Sequence, residues 1–282
     1  MTKIRSVTRL IDPQPVLEGA GVRLKRSIAT RTLDYLDPFL LLDHFGSDRP
    51  EDYLAGFPMH PHRGIETVTY MLAGRVFHRD SLGNSGSIQA GDVQWMTAGG
   101  GIMHEEMPQP VAGKMYGFQL WVNLPARHKM MRPRYQEIAS AQIPEVLRPD
   151  GTRVRVIAGV VDGVQGAVRD IVADPTYLDV TLPPSITFTQ PVPNGDSAFA
   201  YVFEGQGAFG AAQAEQVRST RLAILEGGDV IEVRTGDQPV RFLLVSGKPL
   251  GEPIARYGPF VMTTRDEIEE ALRDLRNGTF VR

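Results

Sequence analysis

Four residues in the first half of the chain have the types and spacing of metal donors. His60 and His62 form a His-x-His in Phe57-Pro58-Met59-His60-Pro61-His62-Arg63-Gly64-Ile65-Glu66, and His104 and Glu106 stand two apart after Gly99-Gly100-Gly101-Ile102-Met103. On an extended strand, residues i and i+2 project from the same face. Each pair therefore presents two donors to one side. Pro61 fits an edge strand or a strand start, where its missing N–H costs nothing. A lone His-x-His is common on protein surfaces; the second pair is what makes a site of it. Three imidazoles and a carboxylate suit a divalent transition metal and leave coordination positions open. A hydrolytic zinc centre fits less well, because four protein ligands crowd it and no separate base accompanies them. His44, His78 and His128 have no partner at ligand spacing and are expected to be packed or on the surface. Arg63 is expected at the surface or a site entrance, and Trp95 and Trp121 in the core.

The composition narrows where such a site can be. All six histidines lie at or before His128, and the 282-residue chain has no cysteine. Disulfides, thiolate catalysis, Cys-zinc sites and iron–sulfur clusters are excluded. In the second half, where the first offers His60 and His62, the chain has only Gln190, Asn194 and Asp196. Amide side chains are poor ligands for such an ion. A net charge of −3 gives no sign of a nucleic-acid partner. Apolar runs such as Phe39-Leu40-Leu41-Leu42 stop far short of the ~18 residues a membrane span needs. The first residues are basic without an apolar stretch behind them, so a cytoplasmic protein without membrane contact is expected.

The elements that must hold the donors read as short strands. Gly (29) and Pro (21) are spread along the chain, punctuating β-rich runs in the manner of a sandwich or barrel. Strands are expected at Thr67–Leu72, Val93–Met96, Phe118–Val122, Val154–Ile157, Leu178–Leu182, Ala200–Phe203, Asp229–Val233 and Arg241–Val245. A weak repeat relates the halves: Thr69-Tyr70-Met71-Leu72-Ala73-Gly74 then Gly91-Asp92-Val93, and Ala200-Tyr201-Val202-Phe203-Glu204-Gly205 then Gly228-Asp229-Val230. Two copies of one barrel fill the length. The Pro- and Gly-bearing stretch Glu137–Gly151 is the expected boundary, giving domains 1–142 and 143–282. One helix stands out near the end. Thr264 and Glu267 form a capping-box pattern, Ile268, Ala271, Leu272 and Leu275 make an apolar stripe, and Asn277-Gly278 supplies the stop.

The stretch FPMHPHRGIETVTYML…GDVQWMTAGGGIMHEEMP, residues 57–108, resembles the N-terminal signature of the pirin family in the cupin superfamily, as do LDPFLLLDHFG (36–46) and GPFVMTTRDEIEEAL (258–272). The resemblance runs essentially end to end. It implies an all-β bicupin: two tandem β-barrels of the double-stranded β-helix type with a C-terminal helix, metal in the first barrel and none in the second. The family's ligands fall on His60, His62, His104 and Glu106, and the metal implied is iron, one Fe(II) per chain. The same donors also accept Mn, Ni, Co, Cu or Zn. The general cupin pattern has its carboxylate sooner after His-x-His, at Glu66, which would face inward if the strand is unbroken; it is expected beside the site or as an alternative ligand. The activity implied is a quercetin 2,3-dioxygenase-like opening of a flavonol with dioxygen, Glu106 acting as catalytic base. The rival reading is a metal-dependent regulatory binding protein with a metabolic enzyme or transcription factor as partner. A monomer is expected in either case.

Overall fold

The computed structural model describes residues 2–109, 113–211 and 214–281. They form two compact units, residues 14–140 with 250–282 and residues 1–13 with 141–249. All eight expected strands are present, several of them longer than expected: Phe118–Val122 is part of Met115–Asn123, and Ala200–Phe203 is part of Ser197–Phe209. The expected division at residue 142 is corrected at both ends of the chain. Strand Ser6–Ile11 pairs with Arg221–Glu226 and so completes a sheet of the later unit. The C-terminal helix packs on the earlier one, its Ile268 and Ala271 buried among Phe260, Met262 and Phe280. Alternation and turn residues reveal that a strand exists, but not which sheet edge receives it.

In the earlier unit, a seven-stranded antiparallel sheet runs in the order 134–138, 93–97, 65–73, 115–123, 39–47, 22–28, 14–18. A four-stranded sheet, in the order 57–62, 102–109, 75–80, 85–89, carries the histidine pairs. Alternate residues of Arg75–Asp80 and Ile102–Gln109 are buried, the period-two pattern of strands with one face on an interior. Val22, Leu24, Phe45, Met71, Val76, Ile88 and Met115 belong to one buried apolar cluster, and Leu40, Ile65, Met96, Ala98, Ile102 and Val261 form a second.

The helix Arg265–Asn277 has the anticipated start. Thr264 Oγ1 accepts from the Glu267 amide, the Glu267 side chain accepts from the Thr264 amide, and Gly278 ends the helix at φ 71°. The segment leading to it is pinned to the histidine strand. The Val261 amide donates to the Arg63 carbonyl, and Lys129 Nζ donates to the carbonyls of Gly64 (3.0 Å) and Val261 (2.8 Å) and to Asn123 Oδ1 (2.7 Å). Gly64 has φ +82°, and a Cβ there would collide with the Val261 carbonyl. Only glycine meets both demands.

The later unit is filled. Val154, Val156, Leu178, Val180, Phe188, Val202, Phe209, Val233, Phe242 and Leu244 belong to one continuous buried cluster. Among the described residues, no helix is long and apolar enough to cross a membrane.

Candidate metal centre

The strand Phe57–His62 lies antiparallel to Ile102–Gln109 with His60 directly opposite His104. Directly opposed residues of an antiparallel pair share a face, so the two sequence pairs converge. One nitrogen from each of His60, His62 and His104 falls within 4.8 Å of the others. The ring centroids are 4.4–5.0 Å apart. His60 Nδ1 lies 2.9 Å from the Pro58 carbonyl, to which it donates. That bond fixes the proton on Nδ1 and leaves the Nε2 lone pair free to bind. His60 Nε2 faces His62 Nε2 at 3.1 Å.

Burial lowers the pKa of His60, and it lowers those of His62 and His104 far more, with the neighbouring imidazoles adding to the effect. Three neutral rings therefore direct lone pairs at one point. His104 is 1% exposed, and neither of its ring nitrogens has a hydrogen-bond partner among the described residues. Buried polar atoms nearly always have partners. A cation shared among the three rings would supply the missing one, so the donors fit the metal that their chemistry suggests.

Glu106 is not part of this 4.8 Å cluster. The ladder slips between His104 and Glu106, which sets Glu106 opposite Phe57. Its side chain instead lines the cavity into which His60 and His62 also project. Burial pushes its carboxyl up to about 7, against the pull of a hydrogen bond from Thr69. Thr69 Oγ1 lies 3.0 Å from Glu106 Oε1 and 2.7 Å from Gln119 Oε1; its single proton serves one of them at a time.

Glu66 lies elsewhere. The expectation that it faces the site depended on an unbroken strand, and Arg63 and Gly64 break it between Phe57–His62 and Ile65–Ala73. Glu66 is wholly buried in the seven-stranded sheet, where its Oε1 accepts from Thr97 Oγ1 at 2.8 Å.

The cavity has a volume of about 340 Å³. Leu24, Leu41, Phe45, Phe57, Met115 and Trp121 give it an apolar lining, into which Thr69, Glu106, Gln119, Arg26, Asp43 and Arg256 bring polar groups. Trp121, expected in the core, thus lines the site; its ring meets that of His62 edge-on at 5.2 Å. Trp95 is buried as expected. Arg63 is neither at the surface nor at an entrance. It is 1% exposed, donates to Asp274 Oδ2 at 2.9 Å and to the Phe280 carbonyl at 3.1 Å, and lies over the Phe280 ring. His44 packs against Phe118 with the rings tilted by 30°, and buried His78 has its Nε2 2.7 Å from Glu137 Oε1. His128 sits in a short helical turn outside the cluster.

Sequence reasoning missed Thr69, Gln119, Arg26 and Arg256. Thr69 and Gln119 are opposed in the ladder, and a polar residue at mid-strand in each apolar run was the available signal. Arg256 had none, because only the folded hairpin brings it here.

A family model described as Pirin matches residues 21–122, and one described as Pirin C-terminal cupin domain matches residues 177–281. A Pseudomonas aeruginosa protein named "Putative quercetin 2,3-dioxygenase" is 46% identical, with 99% of each chain covered. Human "Pirin" is 43% identical over 98% of this chain and 94% of its own. The crystal structure of a quercetin 2,3-dioxygenase from Acinetobacter baumannii superposes with a TM-score of 0.89 at 36% identity, covering 98% of both chains. With its two cupin domains, its C-terminal helix and relatives matched over nearly their whole length, the chain belongs to the pirin family of the cupin superfamily.

Proposed function

We propose that the protein is an iron-dependent dioxygenase that opens a flavonol such as quercetin. His60, His62 and His104 would hold one Fe(II); Glu106, which faces the same cavity from outside their 4.8 Å grouping, would turn to the ion as its fourth ligand and act as the catalytic base. The observation that carries this reading is a buried cluster of neutral imidazoles opening onto an apolar-lined cavity that also contains a carboxyl. The bound iron would supply a Lewis acid that acidifies a coordinated hydroxyl and a centre able to engage dioxygen.

The protein's own residues do the rest. Leu41, Phe45, Phe57, Met115 and Trp121 present a surface for a flat aromatic ligand and exclude water from it. The Glu106 carboxylate faces the cavity beside the imidazoles, where an oxygen turned from the iron would accept the proton of an incoming hydroxyl and return it. When Thr69 donates to Glu106 Oε1, the other oxygen remains available to the ligand. The names of the relatives support this reading: the Pseudomonas aeruginosa and Acinetobacter baumannii proteins are both called quercetin 2,3-dioxygenases, the first with the qualifier quoted above.

The test is quercetin loss with oxygen uptake in protein loaded with ferrous iron, alongside metal analysis. His60→Ala and His104→Ala are each expected to lose most of the metal, and His128→Ala none. Full metal content in both variants would overturn the ligand assignment. A fully loaded wild type that consumes neither quercetin nor oxygen would point instead to the regulatory binding role.

A further inference from the structure

Most polar groups of the cavity form one row: Thr69, Gln119, Asp43 and Arg26 are successive partners on neighbouring strands, with Glu106 bonded to Thr69 and Glu18 to Arg26, while Arg256 reaches the cavity from a separate hairpin. The two arginines differ in what they have left to offer. Arg26 is committed: Nε and Nη2 donate to the two Asp43 oxygens at 2.8 and 2.7 Å, and Nη1 lies 2.7 Å from Glu18 Oε1. Arg256 makes one hydrogen bond among the described residues, from Nη1 to the Leu40 carbonyl at 3.2 Å. No carboxylate among them pairs with it, since Asp43 and Glu18 are engaged by Arg26.

Arg256 is also held in place. It sits on strand Ala255–Tyr257, which forms a hairpin with Phe260–Met262. The hairpin is fixed by the Arg63 backbone and by Lys129. Gly258 and Pro259 at its tip line the same cavity. The guanidinium carbon lies 5.2 Å from the centre of the Trp121 ring, and that ring touches His62. Arg256 therefore stands one indole away from the imidazole cluster. Stacking uses the face of a guanidinium and leaves its N–H edge free. Burial, then the proximity of Arg26, disfavours its charge, against the weaker pull of Asp34, Asp43 and Glu18. Arg256 is half-buried and its unspent N–H groups are not sealed off, so a ligand oxygen can reach them.

We propose that Arg256 is a specificity-determining residue. Its unspent N–H groups take a phenolic or phenolate oxygen on the part of a planar aromatic ligand remote from the edge held at the imidazoles. This rests on the flavonol reading above and extends it: the preferred ligands are those with acidic hydroxyls on the outer rings. A flat ligand with its hydroxyl–keto edge at the cluster and its body along Trp121 carries such oxygens toward the guanidinium. Trp121 and Arg256 then form one continuous recognition surface, apolar followed by cationic.

The experiment compares quercetin with 3-hydroxyflavone, which keeps the hydroxyl–keto edge but has no hydroxyls on its other rings. Binding to iron-loaded wild type, Arg256→Gln and Arg256→Lys is followed without oxygen by quenching of tryptophan fluorescence. Iron content is measured in each sample. Loss of a charge-assisted hydrogen bond should weaken quercetin binding to Arg256→Gln by about 10- to 100-fold, while 3-hydroxyflavone affinity stays within about two-fold. Arg256→Lys, which keeps the charge but not the planar fork, should lie between. Unaltered 3-hydroxyflavone affinity also shows that the variants are folded. Equal weakening of both ligands, or of neither, in Arg256→Gln would overturn the assignment while leaving the flavonol reading intact. Failure of the wild type itself to bind either flavonol would overturn both.

Discussion

Two buried groups, one lining the cavity and one not, differ in which protonation state the fold prefers, and each gives a test by substitution. Glu106→Gln keeps size and an oxygen donor but removes nearly all basicity. If Glu106 acts as a base, the variant should retain appreciable iron while quercetin turnover falls by roughly 10²–10⁴. Iron loss in proportion to activity would leave it a ligand only. His44 is the second case. Burial, and then Lys25, depresses its pKa to about 4 from 6.5. The folded protein thus holds His44 neutral where the unfolded chain would protonate it. Its contribution is present above pH 6.5 and is lost as pH falls toward 4, by up to about 3 kcal/mol. His44→Phe should therefore flatten the acid limb of a urea-denaturation series taken between pH 7 and 4. An unchanged limb would show that His44 does not carry this loss.

At the scale of elements, the sequence was most legible where one local rule decides. The helix was readable from its capping box and stripe, and Thr264→Ala should cost about 1 kcal/mol of stability in chemical denaturation. The eight strands were readable from alternation and punctuation. The convergence of His60, His62 and His104 followed from parity on two short strands. Illegible features depended on a break or on distant packing. Nothing local shows that Gly64 ends a strand, so Glu66 kept an inward parity in the sequence that the fold removes. The slip between His104 and Glu106 is likewise a property of the ladder and not of either strand alone. Arg63 read as a surface residue because its partners, Asp274 and Phe280, lie more than 200 positions away. Asp274→Ala would strip the carboxylate from a buried guanidinium, and a loss of about 3–5 kcal/mol is expected in the same denaturation assay.

At the scale of the molecule, the two units have interiors of different kinds. One contains a cavity with titratable groups, and the other a continuous apolar cluster. Hydrogen exchange with and without Fe(II) should reflect this. Ligand binding stabilises the state that binds it, so added protection is expected across 57–62 and 102–109 and none across 176–182 and 240–247. Protection confined to the later strands would contradict placement of the site in the earlier unit. The partition of the chain between the units has a further consequence, for the order in which a ribosome delivers the parts. Residues 57–62 and 102–109 emerge early, but Arg256, Pro259, Asp274 and Phe280, which complete the cavity and clasp the histidine strand, emerge only after the whole of residues 141–249. At about 5–20 residues per second, the nascent imidazoles wait roughly ten seconds or more for their enclosure. If the imidazoles hold a metal as proposed, the site would be open during that interval to whichever cation the surroundings supply, so the ion first captured would be set by what is free during translation, and the one retained by exchange after release.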